Sequence, residues 1–132
     1  MKTHLVFRNA ALVDEDPSDS NPSGKKLATL IGGALPAHGF HIRWVLQEDW
    51  GWVVMIENPA FSLWVGCGQN PDLEDGHLCF IEPSKPQVRR WLKRVDTTVV
   101  ISQLATALEA IVRAEQGSAE VRWWSEDEAR LR

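Results

Sequence analysis

Two cysteines and a histidine lie close together in the sequence, within Gly66-Cys67-Gly68 and His77-Leu78-Cys79. A thiolate beside a base can act as a nucleophile, and two cysteines with one histidine can hold a metal ion. A reactive cysteine, however, needs a lowered pKa, and zinc sites usually carry cysteines in a paired C-x-x-C spacing, which this sequence lacks. We therefore predict buried, unreactive thiols, with no catalytic residue, no cofactor and no metal. A metal site formed by Cys67, His77 and Cys79 on one sheet face is the alternative.

A basic segment, KPQVRRWLKR at residues 85–94, carries five cationic side chains and one tryptophan. If the segment is a helix, Val88, Trp91 and Leu92 point inward and the cations point outward. Such a cluster can contact nucleic acid or an acidic partner, or it can simply be a solvated helix face. The chain has 14 basic and 18 acidic residues and a net charge of −4. This balance favours the solvated face and predicts no nucleic-acid partner.

The composition is typical of a globular protein, with 44% hydrophobic and 24% charged residues in 132. This length is that of one ordinary domain, covering residues 1–132. No apolar run reaches the roughly 18 residues that a membrane-spanning helix requires. The apolar N-terminal stretch is interrupted by Arg8 and Asn9 and is unlike a signal peptide. We expect a cytoplasmic protein with reduced cysteines and no membrane partner.

Hydrophobic periodicity divides the chain into strands and helices. A strand at Thr3–Phe7 precedes an exposed acidic loop at residues 14–24, and Asn21-Pro22 predicts the start of a helix. Residues 125–132 predict a loose, charged tail. Further strands are predicted at 40–46, 50–57, 60–68, 77–82 and 121–124, and further helices within 84–95 and from 98 to Gly117. The predicted fold class is α+β, a two-layer sandwich with helices on one face of a mostly antiparallel sheet of four to six strands.

The register of the predicted sheet follows from a hairpin with Asn58-Pro59 at its tip. It pairs Trp52 with Val65 and Trp50 with Cys67, and an extension places Cys67 opposite Cys79. A three-residue turn at residues 47–49 places Ile42, Trp44 and Leu46 on the same face, because a two-residue turn buries His41 and Arg43 instead. Trp44, Trp50 and Trp52 are then predicted to lie in the core beneath the helices.

The opposite sheet face is half apolar, although a solvated antiparallel face is usually polar. Val45 lies near it, and His41, Glu57 and Glu82 lie at its rim with Arg43. Exposed aromatic residues and methionines of this kind mark interfaces. The alternative is that a loop or terminal segment, such as residues 1–20, covers the face. The predicted interface consists of Val53, Met55, Trp64, Leu78, Phe80 and Arg43.

The segments LATLIGGALPAHGF, EDWGW, LWVGCG and VRWW, within residues 27–124, resemble a group of small bacterial proteins with a DWGW-type strand. The architecture is also similar in kind to immunity proteins of bacterial toxin systems. These resemblances imply a bacterial, cytoplasmic and non-catalytic protein. We predict a domain that binds a protein partner or forms a homo-oligomer. The alternative is a small-molecule-binding domain or enzyme with a pocket between sheet and helices.

Overall fold

The computed structural model describes residues 1–131. Within them, six antiparallel strands form one open sheet in the order β2-β3-β4-β5-β1-β8, and β6 and β7 form a separate two-stranded sheet. The predicted α+β class is confirmed. The strands are β1 (Lys2–Arg8), β2 (Ile42–Glu48), β3 (Gly51–Ile56), β4 (Leu63–Gln69), β5 (Gly76–Glu82), β6 (Gln87–Arg90), β7 (Lys93–Asp96) and β8 (Ala119–Ser125), and the helices are α1 (Lys25–Ala34), α2 (Thr98–Ala114) and α3 (Glu126–Arg130).

The hydrophobic core lies between one face of the large sheet and helices α1 and α2. Both helices bury apolar residues at helical spacing, such as Leu27 and Ile31 in α1 and Leu104 and Leu108 in α2. Val54, Val65, Cys67, Cys79 and Ile81 cover the sheet side of this core. Removing these side chains from water supplies the main drive for folding and fixes which sheet face the helices cover.

Helix α1 begins at Lys25 and its N-cap is Gly24, three residues after the predicted cap at Asn21. Gly24 adopts a left-handed conformation with φ of +118°. The carboxylate of Asp14 accepts hydrogen bonds from the backbone N–H groups of Gly24 at 2.7 Å and Lys26 at 2.9 Å. The helix cap therefore comes from a residue distant in sequence, at the start of the acidic loop. Residues 15–20 of the predicted exposed loop 14–24 are exposed, whereas Pro22 and Gly24 are buried.

The β3–β4 pairing differs from the prediction by two residues. Val54, not Trp52, lies opposite Val65, and Trp52 lies opposite Cys67. The connection between the strands spans residues 57–62 and is closed by the Asn58 side-chain amide, which donates to the Phe61 carbonyl at 3.0 Å. A shift of two residues leaves each side chain on its predicted face. The predicted pairing of Cys67 with Cys79 is confirmed.

The prediction for β2 is wrong, because the β2–β3 turn contains two residues and Glu48 pairs directly with Gly51. Val45 therefore faces α1, where its Cγ2 lies 3.0 Å from the ideal Cβ position at Gly32. Trp44 and Leu46 point to the opposite sheet face and are 45% and 47% exposed.

A bulge between Ile42 and Trp44 shifts the register, so Ile42 still packs with Ile56 on the helix-covered face. The bulge occurs at Arg43, which remains exposed. It thereby removes the burial cost that made a two-residue turn unfavourable in the sequence analysis.

Two of the three tryptophans predicted to be core lie elsewhere. Trp50 occupies the β2–β3 turn and packs on Trp64 and Phe80, on the sheet face away from the helices. Only Trp52 packs toward α1, where its indole N–H donates to the Pro22 carbonyl at 3.0 Å.

The predicted helix within residues 84–95 is instead the β6–β7 hairpin. Val88 pairs with Val95 and packs against the core, while Trp91 and Leu92 form the turn. Trp91 has a φ of +60°, and the two turn residues are 89% and 88% exposed. The buried Thr97 closes the base of the hairpin by donating its N–H to the Pro86 carbonyl at 3.0 Å.

Both termini of the described chain are part of the folded structure. Strand β1 lies between β5 and β8, so its residues build the sheet and do not cover it. The tail predicted to be loose forms α3 over residues 126–130, and a capping box between Ser125 and Glu128 begins this helix. Arg132 of the predicted tail lies outside the described residues. Among residues 1–131, each helix is too short or too polar to cross a membrane.

Candidate binding surface

The sheet face opposite α1 and α2, here called the open face, carries most of the half-buried and exposed aromatic side chains of the sheet. Strand pairing places Trp44, Met55 and Trp64 in one row across β2, β3 and β4. A second row runs from Leu46 through Val53 and Gly66 to Phe80 and His4. The apolar members of the open face that α3 leaves uncovered include Trp44, Leu46, Trp50, Val53, Met55, Trp64 and Phe80.

The rings at the centre of the open face form a continuous cluster. Trp50 lies with its ring centroid 6.2 Å from that of Trp64 and 5.4 Å from that of Phe80. Trp64 meets Phe80 edge to face at 5.7 Å, and His4 stacks on Phe80 at 5.5 Å. Such offset and edge-to-face contacts add to the stabilisation from burial. The cluster is therefore an ordered surface whose rings hold one another in place.

Gly66 makes room for this cluster. A Cβ atom at this position would lie 2.3 Å from Cζ of Phe80, inside van der Waals contact. The Phe80 ring therefore lies directly over the backbone of β4, and the glycine in LWVGCG has a packing role.

Solvent reaches about half of three large apolar side chains on this face. Trp44, Leu46 and Trp50 are 45–49% exposed, while Met55 and Trp64 are half-buried beside them. Single exposed apolar residues are ordinary, but a contiguous aromatic patch is typical of a contact surface. Of the predicted interface residues, Met55, Trp64 and Phe80 lie within this patch, whereas Val53 is buried beneath it.

Leu78 lies at the other end of the face, where α3 covers the sheet. With Val6, Trp124 and Ala129 it lines a small cavity of about 120 Å³. The cover expected from residues 1–20 is thus supplied in part by the C-terminal helix. Leu78 belongs to this covered end, and the exposed aromatic patch begins beyond it.

Charged groups near α3 have shifted pKa values. Burial lowers the pKa of His4, and the nearby Glu126 raises it in part. Burial also raises the pKa of Glu82, and the charge of Glu126 acts in the same direction. The Ser84 hydroxyl donates to Glu126 at 2.7 Å, and this bond is the main cause of the lowered pKa of Glu126.

A cleft of about 630 Å³ separates the open face from the β6–β7 hairpin. Arg43, on the bulged strand, and Arg89, on the hairpin, both line it, together with Trp64 and Glu82. Arg90 also lines the cleft and donates a hydrogen bond to the Pro59 carbonyl, which ties the hairpin to the β3–β4 loop. Arg43 therefore belongs to the cleft, where apolar walls and cations meet.

The cysteines lie on the opposite, helix-covered face. Burial raises the pKa of Cys67 well above its ordinary value and raises that of Cys79 to about 12. Both thiols are free, and the His77 ring nitrogen Nε2 lies 2.7 Å from the Asn9 carbonyl oxygen. Within the described part of the chain, no three histidine, cysteine or acidic side chains are grouped to hold a metal ion. Cys67, Cys79 and His77 are therefore buried structural residues of the fold.

Comparison with family models, curated proteins and solved structures gives no match for this chain. The resemblance to bacterial proteins with a DWGW-type strand therefore stays a prediction. Sequence reasoning missed Trp44, Leu46 and Trp50 as surface residues. A two-residue turn at residues 49–50 would have predicted that Trp44 and Leu46 face the open side of the sheet.

Proposed function

We propose that this chain is a non-catalytic protein-binding domain that uses its open face. The observation that carries the proposal is the aromatic patch of this face, in which Trp44 and Trp50 are about half exposed and Trp50 is ordered by ring contact with the half-buried Trp64. Aromatic residues and methionine are enriched at protein interfaces, and tryptophan is prominent among the residues that dominate binding energy. The patch is supported from behind by a packed sheet, so binding it requires little reorganisation.

The chemistry of the surrounding groups supports recognition. The cleft beside the patch offers guanidinium groups from Arg43 and Arg89, one carboxylate from Glu82 and apolar walls. These groups can bind charged and apolar parts of a partner. The thiols, which are the strongest nucleophiles available, are buried on the other face with raised pKa values.

The cleft gives specific support to the alternative of small-molecule binding. Its volume of about 630 Å³ lies in the range of ligand pockets. The pocket predicted from sequence lies between sheet and helices, whereas this cleft is lined by residues of the open face and the hairpin. It therefore adjoins the proposed protein-binding surface.

The partner is a different protein or a second copy of the chain, and a twofold contact between two open faces would bury both patches. We also propose that the protein works in the bacterial cytoplasm. This part rests on the resemblance given above and on the free state of Cys67 and Cys79.

The test compares folded variants in two binding measurements. Sedimentation over a range of protein concentrations detects self-association, and capture of partners from the host organism detects a heterologous complex. We expect Trp64→Ala and Trp50→Ala to weaken association by about 2 kcal/mol or more. Trp123→Phe, on the helix-covered face, is the matched control and should bind as the wild type does. Folded Trp50→Ala and Trp64→Ala variants that associate like the wild type would exclude the open face as the interface.

A further inference from the structure

The β6–β7 hairpin presents an unusual apolar tip to solvent. Trp91 and Leu92 are almost fully exposed, at 89% and 88%. Trp91 holds a positive φ of +60°, a conformation that bulky residues rarely adopt. Leaving two large apolar side chains in water at a tight turn has no benefit for the isolated fold, which points to a contact made by the tip.

Four cations surround this tip in two cross-strand pairs. Arg89 lies opposite Arg94, and Arg90 lies opposite Lys93. Like charges placed directly opposite each other destabilise a hairpin. Within residues 1–131, the side chains of Arg89, Lys93 and Arg94 make no ion pair and no side-chain hydrogen bond. The repulsion is therefore left without a compensating carboxylate from the described chain.

The charge of the molecule is strongly separated. Residues 85–96, here called the basic hairpin, contain five basic residues and one acidic residue, while the whole chain contains 14 and 18. The net charge of −4 used in the sequence analysis hides this separation, because the remaining surface is more acidic than the average suggests. The basic hairpin is thus a local anion-attracting element on an acidic protein.

We propose that the basic hairpin and the adjoining cleft bind an extended acidic segment of a different protein. This inference rests on the proposed function and specifies its partner. Arg43 and Arg89 both line the cleft, where guanidinium groups can each take a carboxylate through two hydrogen bonds. Met55, Trp64 and Val88 add apolar side chains to the lining, and Glu82 adds one carboxylate. The complementary segment carries aspartates or glutamates around an aromatic or aliphatic side chain.

The geometry favours this partner over three others. In a twofold contact centred on the cleft, the cations of one copy would meet those of the second. A membrane surface could contact Trp91 and Leu92 but would leave the concave cleft unfilled. An extended nucleic acid would pass beyond the hairpin onto acidic surface. Three of the four charged side chains that line the cleft are cationic, Arg43, Arg89 and Arg90 against Glu82, so an acidic peptide segment complements its net charge.

The probe is a library of random dodecapeptides displayed on phage and selected on the full chain. We expect enriched sequences to carry several acidic residues around one aromatic residue or leucine. A synthetic copy of the most enriched peptide should bind with a Kd that rises at least about tenfold for the R43E/R89E variant, as measured by fluorescence anisotropy. The K26E/R122E variant changes net charge equally at two exposed sites away from the cleft, and it should bind like the wild type.

Several outcomes would overturn the proposal. They are the absence of enriched peptides, enrichment of peptides without acidic residues, and equal binding by wild type and R43E/R89E. The protein could also bind oligothymidylate, or phosphatidylcholine vesicles containing phosphatidylserine, more tightly than it binds the enriched peptide. If R89E or W91S abolishes that binding, the hairpin is assigned to nucleic acid or to lipid.

The experiment also separates this inference from the proposed function. Trp44→Ala and Trp50→Ala remove open-face side chains that do not themselves line the cleft, although Trp50 packs on Trp64 and Arg43 lies over the Trp44 ring. Peptide binding that survives these two changes but is lost in R43E/R89E supports the cleft even if the wider aromatic patch has no partner. Partner association that is lost in Trp50→Ala while R43E/R89E retains it supports the open face and overturns the cleft.

Discussion

Cys67 and Cys79 face each other across β4 and β5, and their reactivity is controlled by burial. With pKa values raised well above the ordinary range for Cys67 and to about 12 for Cys79, both remain thiols at neutral pH. We expect no alkylation by N-ethylmaleimide in the folded protein and two modifications per chain in urea, measured by mass spectrometry. Rapid and selective labelling of Cys67 under native conditions would show that it is accessible and activated, contrary to the structure.

His4 is the residue for which the structure predicts a pH response. Burial lowers its pKa below 6.5, so the unfolded chain takes up a proton before the folded chain does as pH falls. The contribution of His4 to stability is therefore fully present above pH 6.5 and decreases below it. A titration of the His4 imidazole followed by NMR should give a midpoint below 6.5.

Glu126 modulates that midpoint, because its negative charge favours the imidazolium form of His4. Glu126→Gln should lower the pKa of His4 further. Asp127→Asn removes an adjacent charge that does not act on His4 and should leave the midpoint unchanged. A rise in the pKa of His4 in Glu126→Gln would contradict this assignment.

At the scale of elements, the close approach of β3 and β4 depends on Gly51. A Cβ atom at Gly51 would lie 2.4 Å from the carbonyl oxygen of Cys67, a backbone atom that cannot rotate away. Gly51→Ala should lower the free energy of unfolding by about 1–3 kcal/mol because the strands must separate. Urea denaturation gives the measurement.

Gly33 in α1 is the matched control for that substitution. An added Cβ there meets no atom within 4 Å. Gly33→Ala should therefore raise the free energy of unfolding by about 0.5–1 kcal/mol, as expected when alanine replaces glycine inside a helix. Equal effects of the two substitutions on the free energy of unfolding would show that the strands accept a Cβ atom at Gly51 without strain.

Alternation along β3, β4 and β5 was sufficient to predict which side chains share a sheet face. That is why the fold class, the Cys67–Cys79 pair and the position of Trp64 could be predicted from sequence. The orientation of the β2 side chains could not be predicted in this way, because it depends on a bulge at Arg43 that keeps this charged side chain out of the core. Periodicity gives no signal for one extra residue, so Trp44 and Leu46 were assigned to the wrong face.

The β6–β7 hairpin shows a different limit of sequence patterns. Val88, Trp91, Leu92 and Val95 have the spacing of one helical face. The same spacing also suits a two-residue turn at Trp91-Leu92, which places Val88 opposite Val95. Only the packing of that valine pair on the core distinguishes the two structures, and that packing is tertiary information. The cleft, which requires the hairpin, was therefore outside the reach of sequence analysis.

For the whole molecule, replacing a tryptophan by alanine should have a different effect on each sheet face. Trp52 packs with α1 and donates to the Pro22 carbonyl, so Trp52→Ala should lower the free energy of unfolding by about 3 kcal/mol or more. Trp64 is half-exposed on the open face, and Trp64→Ala should cost less stability while weakening association. Thermal denaturation of the two variants measures the loss of stability, and sedimentation measures the loss of association. If Trp64→Ala unfolds the protein as severely as Trp52→Ala does, Trp64 belongs to a second core.

The bulge at Arg43 has a further consequence, because β2 is an edge strand of an open sheet. The outer side of an edge strand can recruit a strand from another chain and seed growing aggregates. An extra residue breaks the regular hydrogen-bonding spacing along that side, and the exposed cation of Arg43 adds a charge there. The same irregularity that lets Ile42 and Val45 reach the core thus protects the protein from uncontrolled polymerisation.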